Sequence, residues 1–278
     1  MKLATARIDG ATHAVRVIGD ALADLGAPDL DDFLARHSWR EEAVAATEPV
    51  WSIADATFAP LVSRPSKIIC VGLNYRRHIQ EMGHTLPAYP TLFGKFADAL
   101  IGATDDIERP GETVALDWEV ELAVVIGDHI RRATTATAES AIAGFTVFND
   151  ITCRDWQSRT QQWLQGKTWQ STTPLGPFLV TPDELDGGVR PALEMRLMVD
   201  GVQMQAENTS DLLFDPVELV SYISTIVTLH PGDVIATGTP AGVGHAQQPP
   251  RYLVGGETVV AEIAGIGRME NRVVTAGK

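Results

Sequence analysis

The chain has 278 residues and a formal charge of −14, with 45% hydrophobic and 21% charged residues. These proportions are ordinary for a soluble globular protein, and the length suits one large domain with a smaller appendage. The acidic balance argues against binding to nucleic acid or to an anionic membrane surface, because both need clustered Lys and Arg. No apolar run approaches the roughly 18 residues of a membrane span, and the start of the chain lacks the apolar core of a signal peptide, so we expect a cytoplasmic protein.

The pattern of residues 1–65 predicts a small N-terminal α+β domain without candidate functional residues. It predicts a strand at 13–18 and a helix at 29–36. From residue 66 to residue 278 the sequence pattern changes to short apolar runs that favour β-strands and are separated by Gly and Pro turns. One helix, at 216–229, interrupts these runs. Many strands with few helices between them favour an antiparallel or mixed sheet that rolls up, rather than a doubly wound parallel sheet.

The segment from Asn74 to Gly83 predicts about two turns of helix after a buried strand, because Asn stands at an N-cap position and Gly where a helix would stop. His78 and Glu81 are three residues apart and share a helix face, the spacing by which a carboxylate orients an imidazole for general-base work. A single His on a short helix is more often a surface or core residue. So short a helix is marginal alone, which predicts a lid that folds when a ligand docks beneath it.

Two glutamates, with one residue between them, stand at the start of the apolar run DWEVELAVVIG, residues 117–127. Side chains alternate along a strand, so Glu119 and Glu121 share one face while Val120 and Leu122 share the other. Two like charges at the head of a buried strand repel each other and lose solvation. The pattern is tolerable only where the pair lies at an edge in water, is protonated, or holds a cation.

A second apolar strand, GFTVFND, ends in Asp150, which is the natural third oxygen ligand. A hard cation such as Mg²⁺ takes two or three carboxylates and fills its other sites with water and substrate oxygens. Because no Cys or His cluster competes, Mg²⁺, Mn²⁺ or Ca²⁺ is favoured over zinc. An exposed strand end with unrelated acids is the alternative.

Arg154 and Gln157 follow Asp150 by four and seven residues, which in a helix or tight turn places all three on one face. Arg154 could grip a carboxylate bidentately, and Gln157 could donate to an oxyanion. A solvated helix face is the alternative for this pair. Lys167 lies in a predicted loop of small and polar residues, where a lone lysine is usually just solvated.

The loop TGTPAGVG, residues 237–244, follows the strand DVIA. It lacks the Lys of a phosphate-binding loop and the helix that should follow one, so it is a weak nucleotide site. Its backbone and the hydroxyl of Thr239 are placed to approach a small ligand.

The two cysteines, Cys70 and Cys153, lie in apolar or mixed stretches of the sequence. They show no CxxC spacing. This pattern favours free buried thiols over a disulfide or a metal pair.

Five motifs in this order resemble the fumarylacetoacetate hydrolase family: GLNYRRHIQEMG, LDWEVELAVVIG, FTVFNDITCRDWQ, QGKTWQSTTPLGPFLVT and PGDVIATGTPAGVG. The resemblance covers residues from about 67 to the C-terminus. It implies a mixed β-sandwich roll, usually as a homodimer, that acts on a small-molecule 2-oxo or 1,3-diketo acid.

The resemblance also implies a role for each candidate residue. It implies a divalent cation, Mg²⁺ or otherwise Mn²⁺ or Ca²⁺, at Glu119, Glu121 and Asp150. It implies a lid with His78 and Glu81, and a catalytic set completed by Lys167 and Gln157. Substrate contacts fall on Arg154, Thr239 and Lys95.

The residues and the resemblance together predict a metal-dependent hydrolase that cleaves a C–C bond in an acylpyruvate or 1,3-diketo acid through a metal-bound enolate. The same enolate could serve an oxaloacetate decarboxylase or a 2-hydroxyhepta-2,4-diene-1,7-dioate isomerase. A non-catalytic, metal-stabilised binding protein is the alternative of another class, although a structural metal would need no His78, Glu81 or Lys167.

Overall fold

The computed structural model describes residues 1–81, 83 and 85–275, and for Glu81 it describes the helical backbone alone. The strands of the described part are β1 (Lys2–Ile8), β2 (Ala11–Ile18), β3 (Ala21–Asp24), β4 (Pro49–Ser52), β5 (Thr57–Phe58), β6 (Ile68–Gly72), β7 (Thr91–Lys95), β8 (Leu100–Ile101), β9 (Ile107–Arg109), β10 (Leu116–Asp117), β11 (Val120–Ile126), β12 (Ile142–Asn149), β13 (Thr152–Cys153), β14 (Thr173–Val180), β15 (Glu194–Val199), β16 (Val202–Asn208), β17 (Val234–Ala236), β18 (Thr258–Ile263) and β19 (Gly267–Thr275). The α-helices are α1 (Leu30–Leu34), α2 (Trp39–Ala45), α3 (Arg76–Glu81), α4 (Thr135–Ala141), α5 (Arg154–Gln157), α6 (Leu164–Lys167) and α7 (Pro216–Ile226).

The main sheet has twelve strands, ten of them in the order β4-β3-β2-β1-β14-β12-β11-β17-β6-β7. It is mixed, because β17 pairs with β6 in parallel while β11 pairs with both of its neighbours antiparallel. A second sheet, in the order β16-β15-β18-β19-β9, packs with β18 against β12 and β19 against β14. The fold is therefore mostly β with mixed sheets, as predicted.

Strand β11 is buried on both faces and shows the predicted alternation. Val120, Leu122 and Val124 lie in the core between the two sheets. Ala123 and Val125 lie in a second core on the other face of the main sheet. A strand covered on both sides offers no water to a charged side chain, so any acid in it needs a partner within the protein.

Residues 1–65 extend the main sheet instead of forming a separate layer. Strand β1 pairs with β14, with Lys2 opposite Val180. Phe33 and Trp39, from α1 and α2, belong to the same apolar core as Ala123 and Phe148. The predicted small N-terminal domain is not confirmed, and a boundary at residues 65 and 66 stays a prediction.

The predicted local elements are present with shifted ends. The strand predicted at 13–18 lies within β2, and the helix predicted at 29–36 is the shorter α1. Helix α7 begins after Asp215, whose carboxylate accepts bonds from the Val217 and Glu218 amides in a capping box, and it ends at Ile226 because Val227 is extended. None of the helices in the described part of the chain has the length and hydropathy that crossing a membrane requires.

Candidate metal centre and active site

Three carboxylates meet where β11 and β12 run side by side. Glu121 lies in β11, Glu119 directly precedes that strand, and Asp150 directly follows β12. The pairing of the two strands holds them together, with the Asp150 amide donating to the Glu119 carbonyl oxygen at 2.9 Å. One oxygen from each of the three side chains lies within 4.8 Å of the others, and all three residues are buried. This is the acidic cluster that the sequence predicts.

Two buried lysines hold two of these acids. The Lys167 ammonium lies 2.9 Å from Glu119 Oε2 and 2.7 Å from Asp150 Oδ2. Lys95 lies 2.7 Å from Asp150 Oδ1. Burial opposes the charge of Asp150, but Lys167 and Lys95 outweigh it and hold the pKa of this carboxyl below its usual range. Burial likewise opposes the charge of Lys167, and Asp150 and Glu119 together raise the pKa of the lysine.

Glu121 differs from its two neighbours because no described Lys or Arg forms an ion pair with it. Its carboxylate accepts one hydrogen bond, from the Gly238 amide at 2.7 Å. Burial, followed by the charges of Asp150 and Glu119, raises the pKa of Glu121 well above its usual range. A cation between the three acids would supply the missing countercharge, so the residues present fit a divalent metal ion.

The charge balance of the whole cluster points the same way. Among the described residues, its ionic groups are four carboxylates and three cations, namely Asp117, Glu119, Glu121, Asp150, Lys95, Lys167 and the slightly exposed Arg154. With every one of these groups ionised, one negative charge would be in excess, and the raised pKa of Glu121 opposes that excess while no cation is present. A divalent cation would reverse that excess to one positive charge, which suits an anionic ligand.

Asp117 is a fully buried acid with four hydrogen-bond donors around it. Its Oδ1 accepts from the amides of Trp118 at 2.9 Å and Gly244 at 2.7 Å. Its Oδ2 accepts from the His245 amide at 3.0 Å and from Arg154 Nε at 2.7 Å. Asp117 thus ties the arginine to the glycine loop that follows β17.

Arg154 connects Asp117 with the acidic cluster. One of its terminal nitrogens, Nη2, lies 2.6 Å from Glu119 Oε1 as an ion pair, without the geometry of a hydrogen bond. The other, Nη1, donates to Gln157 Oε1 at 3.1 Å. Because the amide oxygen of Gln157 is used in this way, its amide nitrogen is the end that is placed to donate to a ligand.

The hydroxyl of Thr239 is fixed by two hydrogen bonds, one to Val120 and one from Gln205. Its hydroxyl donates to the Val120 carbonyl oxygen at 3.0 Å and accepts from Gln205 Nε2 at 2.8 Å. Gln205 is buried, and its amide oxygen accepts from the Val120 amide at 3.0 Å. The glycine loop is thereby fixed to the start of β11, and the one hydroxyl hydrogen of Thr239 is already used.

A cavity of about 210 Å³ opens over the cluster. Its polar lining consists of His78, Glu119, Glu121, Arg154, Gln157, Lys167, Thr239 and His245. Its apolar wall includes Val71, Leu73, Phe93, Trp163 and Val243. The ring of Trp163 packs against Gly72, where a Cβ would lie 2.5 Å from it, and edge-on to Phe93.

Helix α3 brings His78 to this cavity. The helix ends as predicted before Gly83, which has φ +73° in the left-handed region that favours glycine. Asn74 is not the predicted side-chain cap, because its amide donates to the Phe214 and Thr237 carbonyls and accepts from the Phe214 amide. The predicted pairing of His78 with Glu81 and the Met82 position of the lid lie outside the described residues and stay predictions.

The structure gathers most of the predicted site residues and separates two of them from the cavity wall. Asp150 and Lys95 lie behind the lining residues of the described chain, so the contact of Lys95 is with Asp150 and the Ile151 carbonyl. Of the two forms predicted for Asp150, Arg154 and Gln157, a shared helical face is wrong, because α5 begins only at Arg154, and a tight turn stays a prediction. Lys167 ends the short helix α6, where the sequence predicted a loop, and its burial rules out the solvated alternative.

Three residues that line or brace the site carry no role in the sequence prediction. These residues are Asp117, Gln205 and His245. Asp117 had the clearest signal, since it opens the same motif as the glutamate pair.

Comparison with known proteins identifies the family of this chain. The family model for the C-terminal part of fumarylacetoacetate (FAA) hydrolase matches residues 67–274. The chain belongs to the fumarylacetoacetate hydrolase family. Among curated members, the mitochondrial oxaloacetate tautomerase of Bos taurus is 43% identical over 234 residues, which are 84% of this chain and 74% of that protein.

Two solved family members share the whole fold. The 5-carboxymethyl-2-hydroxymuconate delta-isomerase of Mycobacterium smegmatis is 34% identical with a TM-score of 0.82, and 100% of both chains is covered. The maleylpyruvate hydrolase of Sphingobium sp., solved with a manganese(II) ion and pyruvate, is 28% identical with a TM-score of 0.80, again over 100% of both chains. Family members of this similarity thus carry tautomerase, isomerase and hydrolase names.

Proposed function

We propose that this chain is a divalent-cation-dependent enzyme that forms an enolate from a small 2-oxo acid, and that it interconverts the keto and enol forms of oxaloacetate. The observation that carries the proposal is Glu121, a buried carboxylate that forms no ion pair with a described Lys or Arg, beside Glu119 and Asp150. The similarity to an oxaloacetate tautomerase supports the choice of reaction.

Glu119, Glu121 and Asp150 would hold Mg²⁺, Mn²⁺ or Ca²⁺. A divalent ion held there would supply Lewis-acid chemistry, which would favour ionisation of the carbon next to the 2-oxo group. The ion pairs with Lys95 and Lys167 fix the orientation of the Asp150 carboxylate. Such fixed ligands cost little reorganisation when a ligand enters.

The chain's own groups supply the proton transfer. His78, on the cavity wall, takes a proton from carbon 3 of the 2-oxo acid as general base and returns it in the reverse direction. Gln157 Nε2 and Lys167 Nζ donate to the oxygen on carbon 2, where negative charge grows. Arg154 binds the carboxylate of the substrate, and the predicted role of Glu81 is to orient His78.

Hydrolysis of an acylpyruvate is the second candidate, and the position of His78 on a helix over the cavity favours it, since an imidazole there could activate water against a distal carbonyl. The manganese-bound and pyruvate-bound maleylpyruvate hydrolase supports the same reading. Decarboxylation of oxaloacetate and isomerisation of a dioate would use the same enolate.

One experiment separates these reactions. The chelator-treated full chain is reloaded with Mg²⁺ and given enol oxaloacetate, keto oxaloacetate and acetylpyruvate, while enol absorbance and pyruvate release are followed. We expect metal-dependent loss of the enol above the rate with Mg²⁺ alone, and His78→Ala should return the rate to that background. Pyruvate release from acetylpyruvate would favour the hydrolase, and binding of all three compounds without any conversion would establish a binding protein.

We further propose a homodimer in the cytoplasm, as the sequence predicts. Light scattering of the purified chain would test the dimer. The curated relative from Bos taurus is named as mitochondrial, so fractionation of the source cells is needed for the location.

A further inference from the structure

His245 stands on the wall of the cavity although nothing in the proposed reaction uses it. It follows Gly244 in the loop after β17, and its side chain is exposed to solvent. Loop residues at the rim of a cavity are placed to contact the part of a ligand that is distant from the reacting atoms.

The backbone that carries His245 is locked beside Arg154. The His245 amide and Arg154 Nε both donate to the same oxygen of Asp117, at 3.0 Å and 2.7 Å. Gly244 permits this approach, because a Cβ there would lie 2.0 Å from the Arg251 carbonyl oxygen and 2.8 Å from Asp117 Oδ1. A single carboxylate oxygen therefore separates the backbone of His245 from the arginine of the site.

The imidazole itself is oriented by Tyr252. Its Nδ1 lies 2.9 Å from the tyrosine hydroxyl oxygen. The roles in this contact depend on the tautomer: in the form in which the tyrosine hydroxyl donates to Nδ1, the ring proton lies on Nε2 and Nε2 is the donor. Within the described part of the chain, Nε2 of His245 has no hydrogen-bond partner.

The surroundings explain what such a donor is for. The wall contributed by Leu73, Phe93, Trp163 and Val243 is apolar. Apart from the acidic cluster and the Lys167, Arg154 and Gln157 side chains joined to it, the polar side chains of the described lining are His78, Thr239 and His245. The one hydroxyl hydrogen of Thr239 is already used. A charged end of a ligand in this part of the cavity needs a donor, because an unpaired carboxylate would lose solvation.

We propose that His245 is a specificity-determining residue, which donates from Nε2 to the far carboxylate of a 2-oxo dicarboxylic acid. The inference rests on the proposed function, since the 2-oxo acid end must lie at the acidic cluster. Tyr252 is the positioning residue that fixes the tautomer, and Asp117 aligns His245 with Arg154.

The test uses two probes of equal chain length, 2-oxoglutarate and 2-oxopentanoate, which differ only in the far carboxylate. Calorimetry on the Mg²⁺-loaded full chain gives both dissociation constants. We expect the wild-type chain to prefer 2-oxoglutarate, and His245→Leu to weaken its binding by about tenfold or more, the usual effect of a hydrogen bond to a charged group. Binding of 2-oxopentanoate should change by less than about twofold on the same scale.

Two further variants complete the design. Tyr252→Phe should weaken the binding of 2-oxoglutarate by a smaller factor than His245→Leu does. His37→Leu changes an exposed histidine away from the cavity and should alter neither dissociation constant. Absence of a wild-type preference, or equal effects of His245→Leu on both probes, would overturn the inference. Because no turnover is measured, a chain that shows the preference but converts no substrate would refute the proposed function and leave the role of His245 in place.

Discussion

Glu119 and Glu121 stand two residues apart, yet their charges have different partners. Glu119 contacts both Lys167 and Arg154. Among the described residues, the donor to the Glu121 carboxylate is the Gly238 amide alone. Removing one charge of a buried ion pair leaves the opposite charges buried without a partner, which is destabilising. Removing a buried charge that has no partner instead relieves a desolvation cost. The two glutamates should therefore respond differently to neutralisation.

In chelator-treated protein, we expect Glu121→Gln to leave the melting temperature unchanged or to raise it. Glu119→Gln should lower the free energy of unfolding by about 3 kcal/mol, as breaking a buried pair does. Calorimetric melting with chelator measures both variants, and a repeat with Mg²⁺ should show that each has lost the stabilisation that bound metal gives the wild type. Equal destabilisation by the two substitutions in chelator would mean that Glu121 has a countercharge of its own.

Lys167 should matter to folding as well as to turnover, because its buried ammonium bridges Glu119 and Asp150. We expect Lys167→Met to lower the free energy of unfolding by about 3 kcal/mol. We also expect kcat to fall about a hundredfold, as on loss of an oxyanion donor. Urea unfolding and steady-state kinetics at saturating Mg²⁺ measure the two effects. A variant with normal kcat would remove the lysine from the reaction, whatever its stability.

The acids of the site were predictable because a buried strand cannot carry paired charges without a partner, and Glu119 and Glu121 sit at such a strand. Asp117 opens the same motif, but its role and that of Gln205 were not predicted, because both residues bind backbone groups distant in sequence. Asp117 binds the Gly244 amide, 127 residues away, and Gln205 binds the Val120 amide, 85 residues away. No spacing rule in the sequence links such pairs.

At the scale of the elements, the end of β6 shapes the cavity through the absence of a side chain. A Cβ at Gly72 would lie 2.5 Å and 2.9 Å from two atoms of the Trp163 ring. Contacts this short force a neighbour to move, and Trp163 belongs to the segment between α5 and α6 that also positions Lys167. Glycine at 72 is thus required by packing and not by backbone conformation, since its φ is not in the left-handed region.

We expect Gly72→Ala to displace Trp163, which narrows or reshapes the apolar wall. The emission of the tryptophans should change, and binding of 2-oxopentanoate should weaken more than binding of oxalate, which has no chain beyond its two carboxylates. Gly94→Ala is the matched control, because Gly94 lies in the neighbouring strand β7 and its Cβ would meet only the Ile68 carbonyl oxygen, at 3.7 Å. If both alanine variants behave alike, Gly72 does not set the shape of the cavity.

For the molecule as a whole, the amount of strand was predictable and the sheet order was not. Apolar runs between Gly and Pro turns identify strands from local pattern alone. The pairing of β1 with β14 joins Lys2 to Val180, and nothing in either strand specifies the other. This pairing joins the strands of residues 1–65 to the main sheet. The change of sequence pattern near residue 66 had instead suggested a separate domain.

The two cysteines offer a test of whether residues 1–65 unfold with the remainder. Cys70 belongs to the core that contains Phe33 of α1, and Cys153 belongs to the core between the two sheets. Both are buried free thiols, as predicted. Burial raises the pKa of Cys153 to about 12 and that of Cys70 well above its usual range, so neither is a thiolate at pH 8.

We expect neither thiol to react with DTNB in the native protein at pH 8, because each is both protonated and covered. The single variants Cys70→Ala and Cys153→Ala allow each remaining thiol to be followed alone while urea is increased. If the chain unfolds as one cooperative unit, both thiols become reactive at the midpoint of the tryptophan-fluorescence transition of the same variant.

Addition of Mg²⁺ should then move all of these midpoints upward together, since metal bound at the acidic cluster stabilises the whole folded unit. Reaction of Cys70 well below the midpoint for Cys153, in variants of equal stability, would instead show that the N-terminal strands and helices leave the main sheet first, as a separate domain would.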